Sequence, residues 1–265
     1  MRSRKVGVVL GAGGARGFCH IGVIEVLQEN KIPIDIITGC SMGALVGGGI
    51  ASGVSTADMR RVASRVTNRT VFDIDIRNFF RNLRTGGLAR GNRAMKLFKQ
   101  SVGPNQLIEN CPIKFAAIAT DLRSHELFVF KSGKLSDAVR ASISIPVVFK
   151  PVIKGEQVLV DGGVLKRMPI SEARDLGAEF IIAVDAVGSP NELQNTSSLG
   201  IFDISYESMD WRSARNEGRD ADVLILPDMG AKSSMQFKNN IEAIEAGREA
   251  TKKAIPQIKR LLNLR

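Results

Sequence analysis

Short runs of apolar residues alternate along this chain with stretches in which apolar residues recur every three or four positions. The runs are typical of buried strands and the longer period is typical of amphipathic helices. We therefore predict strands at residues 5–10, 32–38, 113–119, 126–130, 157–160, 180–184 and 222–226. Helices are predicted up to residue 30 and at residues 56–66, 136–142, 169–176, 201–215 and 237–262. Strands alternating with helices indicate a three-layer α/β/α sandwich with a mainly parallel central sheet.

Two helix boundaries carry specific expectations. Ser136 is expected to cap the helix that begins there, because serine is a preferred N-cap residue. Pro256 is expected to kink or split the last helix, because proline removes a backbone donor.

The strands at 113–119 and 126–130 are expected to pair with each other across the turn that joins them.

The length of 265 residues is compatible with one α/β domain. In this interpretation residues 5–185 form the core that carries the motifs, and residues 186–265 complete the fold. No apolar run approaches the roughly 20 residues that span a bilayer. The first ten residues resemble a signal peptide only superficially, because their short apolar part continues into a glycine-rich turn, which favours a first buried strand.

The cysteine content and the net charge limit the kinds of site and partner that this protein can have. Cys19, Cys40 and Cys111 are an odd, scattered set, which argues against disulfides or a zinc site. We expect a reduced, cytoplasmic protein with neither metal nor cofactor. The net charge of +10 favours anionic partners, such as a membrane surface touched peripherally or an acidic acyl carrier. With one Trp, one Tyr and no recognisable motif, nucleic acid is not an expected partner.

Residues 39–43 read Gly-Cys-Ser-Met-Gly and stand between a predicted strand and a small-residue stretch. This setting is typical of a nucleophile elbow, in which a strained turn exposes the serine hydroxyl. Gly39 and Gly43 would let the strand and the helix approach each other closely. Ser41 is therefore a candidate nucleophile, although a plain glycine-rich turn would have the same pattern.

A second glycine-rich turn, at residues 11–17, follows the first predicted strand. A dinucleotide fingerprint would need glycine where Arg16 stands, although Asp35 is placed as that interpretation requires. The alternative is an oxyanion hole, in which amides of this loop act together with the amide of Met42, the residue after the candidate nucleophile. Arg16 could then contact a substrate anion, clamp a phosphate or form a structural ion pair.

A serine nucleophile needs a base, and the two histidines do not suit that role. His20 is expected to pack on a helix, and His125 is expected to be solvated in a polar turn. In a Ser-His-Asp/Glu triad of this fold class the histidine comes late in the chain, after the acid. Three aspartates, Asp121, Asp161 and Asp185, each follow an apolar strand. Asp161 is favoured because Gly162 and Gly163 allow a tight turn beside another element. A desolvated site that raised its pKa would make it a better base.

The three motifs together, in this order and spacing, resemble the patatin-like phospholipases, specifically their compact bacterial cytosolic members. The likeness extends through residues 20–23, 119–122, 140–146 and 149–152, and so over most of residues 5–185. Lys166 departs from the pattern, since relatives often carry asparagine there. The resemblance implies a patatin-like fold and a serine hydrolase of lipid acyl esters.

The resemblance also implies residue roles. Ser41 would be the nucleophile and Asp161 the general base. The oxyanion hole would be formed by Gly11, Gly13 and Gly14, together with Met42. An acyl-thioester hydrolase and a non-catalytic lipid- or protein-binding regulator are the alternatives, and a nucleotide-binding transferase is disfavoured by Arg16. Residues 72–98 mix phenylalanine with basic residues, which suits a cover over the acyl site, a membrane contact or plain core packing.

Overall fold

A computed structural model describes residues 4–73, 86–188, 196–230 and 232–264. Its strands are β1 (Val6–Leu10), β2 (Ile36–Cys40), β3 (Gly87–Ala89), β4 (Lys114–Asp121), β5 (Glu126–Phe130), β6 (Val147–Phe149), β7 (Val152–Lys154), β8 (Gln157–Asp161), β9 (Phe180–Val184) and β10 (Val223–Ile225). Its helices are α1 (Cys19–Glu29), α2 (Met42–Ala51), α3 (Thr56–Ala63), α4 (Asn68–Val71), α5 (Asn92–Val102), α6 (Leu135–Ser142), α7 (Ile170–Asp175), α8 (Ser198–Glu217) and α9 (Asn240–Leu262). In these ranges no helix is both long and apolar enough to span a bilayer.

Eight of the described strands form the central sheet, in the order β10-β9-β1-β2-β4-β8-β7, with β5 paired to β4. The first five strands in this order are mutually parallel, whereas β5, β7 and β8 join by antiparallel pairing. The two short strands β3 and β6 form a separate parallel pair. The sheet is therefore mainly parallel, as predicted.

Helices cover both faces of the sheet. Val8 and Leu10 of β1 belong to the apolar cluster that includes residues of α1, α2 and α9. Val9 of the same strand belongs to a second cluster, with Ala173 of α7 and Ala214 of α8. Alternate side chains of one buried strand thus enter two different layers, as a three-layer sandwich requires.

The structure corrects four predicted boundaries. The second strand is Ile36–Cys40 rather than 32–38, since the polar and small residues at its end are as fully buried as its isoleucines. Helix α6 begins at Leu135 with Lys134 at the N-cap, so Ser136 is not the cap. Helix α9 begins at Asn240 rather than at residue 237, and Pro256 lies within one continuous helix instead of splitting it.

The pairing of β4 explains how distant segments meet. One edge of β4 pairs with β5, and its other edge pairs first with β2 and then with β8. Cys40, the last residue of β2, lies opposite Ile118, and Asp161, the last residue of β8, lies opposite the next residue, Ala119. The ends of β2 and β8 therefore meet at one point on the edge of β4.

Candidate active site

Ser41 lies at the tight turn between β2 and α2. Its backbone has φ 54° and ψ −121°, a conformation that costs a non-glycine residue energy and that clusters at functional sites. A Cβ atom on Gly43 would collide with the carbonyl oxygen of Leu10, and one on Gly39 would collide with the first turn of α2. Both positions therefore require glycine, because strand and helix backbones touch there.

The side chains of Ser41 and Asp161 are in direct contact. The Ser41 hydroxyl donates to Oδ2 of Asp161 at 2.6 Å. The other carboxylate oxygen, Oδ1, accepts from the amide of Gly163 at 2.8 Å. A Cβ atom on Gly162 would collide with Ile118 and Cys40, so the glycine lets the end of β8 lie against β2 and β4. The turn after β8 thus brings the carboxylate against the serine.

Burial changes the acid strength of this carboxyl group. Asp161 is 1% exposed. Desolvation raises its pKa to about 6, although the hydrogen bonds from Ser41, Gly163, Tyr206 and Cys40 each favour the charged form. The group is therefore still mostly ionised at neutral pH, but it is a much better proton acceptor than an exposed aspartate.

Three backbone N–H groups of the glycine loop and the elbow have no acceptor among the described residues: those of Gly13, Gly14 and Met42. Gly13 and Gly14 begin the short 3₁₀ helix Gly14–Phe18, and Met42 begins α2, so all three amides are helix-start donors. Such donors favour a negatively charged group in front of them. These three amides are therefore the candidate donors to an oxyanion.

Gly11 differs from the other residues predicted for this role. Its amide donates to the carbonyl oxygen of Val184 at 3.0 Å and so continues the pairing of β1 with β9. The predicted contribution of Gly11 to an oxyanion hole is therefore corrected. Glycine is required at this position for packing, because a Cβ atom would press against Val184 and Met168.

The structure also contradicts the prediction that Arg16 contacts a substrate anion. Its side chain is 1% exposed and pairs with Glu207 of α8 at 3.1 Å. Its Nε donates to the carbonyl oxygen of Lys232 at 2.5 Å. Arg16 thus forms the structural ion pair that was its alternative role.

The two histidines and the two other aspartates have structural contacts. His20 is buried in α1, its Nε2 lies 2.8 Å from the carbonyl oxygen of Gly11, and burial lowers its pKa to about 4. His125 is exposed in the turn after β4. Asp121 accepts hydrogen bonds within that turn and from β8, and Asp185 pairs with Arg167. These placements agree with the packing and solvated roles expected for the histidines.

An apolar cavity of about 100 Å³ opens beside Ser41. It lies between α2, α3 and α5, and its wall includes Phe18, Met42, Leu45, Phe98, Phe149 and Phe237. Of residues 72–98, the described part contributes to this wall through α5. Phe72 packs against Phe149 and Phe237, which line the cavity. Residues 74–85 lie outside the described residues, so the proposed cover or membrane contact stays a prediction there.

A sequence model of the patatin-like phospholipases matches residues 8–174, the part of the chain that holds both Ser41 and Asp161. An uncharacterized NTE family protein of Mycobacterium tuberculosis is 38% identical over 187 residues, which are 71% of this chain and 50% of that protein. The chain belongs to the patatin-like phospholipase family. Lysophospholipase NTE1 of Debaryomyces hansenii is 34% identical over 197 residues, or 72% of this chain and 12% of that protein. This patatin-like chain therefore spans about half the length, or less, of these curated relatives.

Solved structures share the patatin-like fold at low sequence identity. VipD from Legionella pneumophila aligns with a TM-score of 0.58 and 15% identity, over 96% of this chain and 67% of that one. Human GIVD cytosolic phospholipase A2 aligns with a TM-score of 0.51 and 9% identity, over 98% of this chain and 59% of that one. At these identities the likeness shows the fold alone.

Sequence reasoning missed two residues that contact this patatin-like site and a third that pairs with Arg16. The Ser142 hydroxyl accepts a hydrogen bond from the Ser41 amide at 2.9 Å, and the Tyr206 hydroxyl lies 3.4 Å from Oδ1 of Asp161. Glu207 holds Arg16. Ser142 lies within the matching segment 140–146 and could have been found there, whereas Tyr206 and Glu207 lie beyond residue 174 and belong to none of the motifs.

Proposed function

We propose that this chain hydrolyses acyl esters of lipids through a Ser41–Asp161 dyad. The observation that carries the proposal is the 2.6 Å contact between the serine hydroxyl and the buried carboxylate. Membership of the patatin-like phospholipase family and the similarity to a lysophospholipase support a lipid ester as the substrate. The apolar wall of the cavity beside Ser41 suits the first carbons of an acyl chain.

In the first step Asp161 accepts the proton of the Ser41 hydroxyl while Oγ attacks the ester carbonyl carbon. The carbonyl oxygen becomes an oxyanion, and the free amides of Gly13, Gly14 and Met42 would donate to it. Removal of one such donor typically costs about 10²–10³ in kcat. The position of these amides at helix starts supports this role, because such donors favour a negative charge in front of them.

In the second step the tetrahedral intermediate collapses and the bond to the leaving oxygen breaks. Asp161 returns its proton to that oxygen, and the acyl group stays on Ser41 as an ester. Water then attacks this acyl-enzyme while Asp161 accepts one of its protons. Collapse of the second intermediate releases the carboxylic acid, and Ser41 recovers its proton from Asp161.

The proposal includes contact between the protein and the membrane that holds the lipid substrate. The net charge of +10 would draw the chain to an anionic surface, so we propose peripheral contact of a cytoplasmic protein with an anionic membrane. The apolar cavity would then receive one acyl chain from that surface. The chemistry needs neither a metal nor a cofactor, since the nucleophile, base and oxyanion donors all come from the chain.

A substrate panel tests this function. Purified protein is incubated with a phospholipid, a lysophospholipid, a monoacylglycerol and an acyl thioester, and released fatty acid is measured. We expect ester hydrolysis by the wild type, none by Ser41→Ala, and a loss of about 10²–10⁴-fold in Asp161→Asn. Met209→Ala, a change on the exposed face of α8, is the control and should hydrolyse the esters normally.

The same panel separates the alternatives. Hydrolysis of the thioester alone would replace the ester assignment with a thioesterase. A wild type that releases no fatty acid from any of the four substrates, or a Ser41→Ala variant that keeps its activity, would contradict the proposal. The first of these results would favour a binding protein that keeps the patatin-like fold.

A further inference from the structure

Helix α8 places a phenol on the carboxylate of Asp161. The hydroxyl of Tyr206 lies 3.4 Å from Oδ1, on the opposite oxygen from the one that faces Ser41. Tyr206 is the single tyrosine of the chain. It lies outside residues 8–174, the range that matches the family model.

The two oxygens of the carboxylate have different partners. Oδ2 accepts from Ser41, whereas Oδ1 accepts from the Gly163 amide at 2.8 Å and lies near the Cys40 thiol at 3.8 Å and the Tyr206 phenol. The terminal torsion of an aspartate is broad, so the carboxylate turns easily unless its oxygens are held. Donors on Oδ1 leave Oδ2 directed at the serine hydroxyl.

This arrangement has a parallel in Ser-His-Asp enzymes, where the buried acid orients the histidine that acts as base. Here the carboxylate itself is in contact with the serine, so it is the carboxylate whose orientation decides whether Ser41 can be deprotonated. A donor on the remote oxygen can supply that orientation.

Helix α8 is attached to the glycine loop next to the same site. Glu207, which follows Tyr206, pairs with Arg16 of the 3₁₀ helix Gly14–Phe18, and both side chains are buried. The Arg16 amide donates to the carbonyl oxygen of Gly13 within that turn. The Tyr206 ring also stacks on Phe202, one turn earlier in α8, with centroids 6.0 Å apart. One helix therefore connects the oxyanion loop with the base.

We propose that Tyr206 is a positioning residue, whose phenol O–H holds Asp161 with Oδ2 toward Ser41, and that the buried Arg16–Glu207 ion pair holds α8 where the phenol can reach. The proposal rests on the proposed function, in which Asp161 is the base. It adds a role for a part of the chain, residues 198–217, that no motif of the sequence identified.

A donor that binds the charged carboxylate also affects its protonation. Within the described ranges, the titratable groups that contact Asp161 are the Cys40 thiol from β2 and the Tyr206 phenol from α8. Arg16 and Glu207 form an ion pair with each other. The Tyr206 hydrogen bond lowers the pKa of Asp161, against the larger effect of burial. Its removal should therefore raise that pKa further above 6.

The contact is tested by nuclear magnetic resonance on the full chain. Tyrosine labelled with ¹³C at the Cζ atom gives one resonance, because Tyr206 is the only tyrosine. We expect its chemical shift to change with pH with a midpoint near 6, as Asp161 ionises, and to stay constant over that range in Asp161→Asn. A wild-type chemical shift that stays constant from about two pH units below the midpoint to about two units above it would overturn the proposal.

The positioning role is tested by Tyr206→Phe, which keeps the ring on Phe202 and removes one oxygen. Aspartate labelled with ¹³C at Cγ reports the midpoint of Asp161, identified as the resonance that Asp161→Asn lacks. We expect the midpoint to rise by about 0.2–0.4 pH unit, because a contact of 3.4 Å is long for an O–H···O hydrogen bond and contributes at the low end of the usual range. Met209→Ala, on the exposed face of the same helix, should leave the midpoint unchanged. An unchanged midpoint in Tyr206→Phe would overturn the proposal.

Both resonance measurements are independent of hydrolysis. A wild type without esterase activity would therefore contradict the proposed function, while the two midpoints would still decide the role of Tyr206. If the enzyme is active, the apparent pKa of the acid limb of its kcat/KM profile should rise in Tyr206→Phe by the same amount as the carboxyl midpoint.

Discussion

At the scale of single residues, the chemistry of the site depends on the shielding of one carboxyl group from water. Asp161 lies at the end of β8 with its carboxylate enclosed by β2, α2 and α8, and burial raises its pKa to about 6. An aspartate with its ordinary pKa near 3.9 would be a weak base at neutral pH. In the proposed mechanism this raised pKa is what lets Asp161 accept a proton near neutral pH without a histidine.

The pKa of Asp161 predicts the pH dependence of hydrolysis. The base must be ionised, so kcat/KM should be constant above about pH 7 and should fall about tenfold per unit well below pH 6. The measurement is a pH–rate profile with a soluble acyl ester. Activity that persists undiminished down to pH 4 would show that the carboxyl is not shielded as described.

The residues of the site differ in how far the sequence reveals them. Ser41 and Asp161 stand beside glycines whose spacing follows from local backbone requirements, so a motif can identify them. Tyr206 lies 45 positions after Asp161 and has no such neighbours, and its contact arises only from the packing of α8. Gly11 was misassigned for a related reason: the sequence does not show that its amide pairs with Val184 of a strand far along the chain.

At the scale of elements, the junction of β2 and α2 determines where the Ser41 hydroxyl points. Ser41 has a strained backbone conformation, and the cost is compensated by the surrounding contacts: its amide donates to Ser142 and its carbonyl accepts from Ala44 and Leu45. Gly43 lies against the carbonyl oxygen of Leu10, which brings α2 next to the end of β1. The elbow and the glycine loop are thus adjacent because two strand ends are adjacent.

Two glycines of α2 make a matched pair of variants. In Gly43→Ala the new methyl group would collide with the backbone of Leu10, which cannot give way, so we expect a loss of about 3 kcal/mol or more in the free energy of unfolding. In Gly48→Ala the methyl group would meet only side chains, the nearest being Leu135 at 3.1 Å, and alanine favours the helix. We expect a change within about 1 kcal/mol there. Urea denaturation of both variants measures the difference, and equal stabilities would contradict this packing of the elbow.

Element boundaries were less predictable than element types. The parallel strands were identifiable because they are buried on both faces and read as apolar runs. The end of β2 was not, since Thr38, Gly39 and Cys40 have no apolar signature although they are fully buried. The apolar pattern predicts that α9 starts at Phe237, but this side chain lines the cavity beside Ser41 and the helix begins at Asn240.

At the scale of the whole molecule, the central sheet brings the parts of the site to one edge. The glycine loop follows β1, the elbow follows β2, and Asp161 ends β8, which continues the edge of β4 beyond β2. One apolar cluster includes residues from Val6 to Ile258. That residues 1–265 form one domain stays a prediction. The alternation of strands and helices predicted this architecture, but the antiparallel attachment of β8 could not be read from periodicity.

The net charge of the molecule predicts how it meets its substrate. With an excess of ten positive charges, it should sediment with phosphatidylglycerol vesicles at low salt. Binding should weaken strongly at about 0.5 M NaCl, where the Debye length is well below its value of about 10 Å at 0.1 M. Phosphatidylcholine vesicles are the control and should bind little protein. Equal binding to both lipids at either salt concentration would contradict an electrostatic membrane contact.

The most direct test of the account is the reaction of the chain with a long-chain alkyl fluorophosphonate, followed by intact-mass analysis and peptide mapping. The serine oxygen would attack phosphorus and release fluoride, so we predict one phosphonyl group per chain, located on Ser41. Ser41→Ala should gain none, and Asp161→Asn should react at least about 100-fold more slowly, because the hydroxyl has lost its base. A wild type that remains unmodified, or an adduct on another residue, would contradict the Ser41–Asp161 dyad.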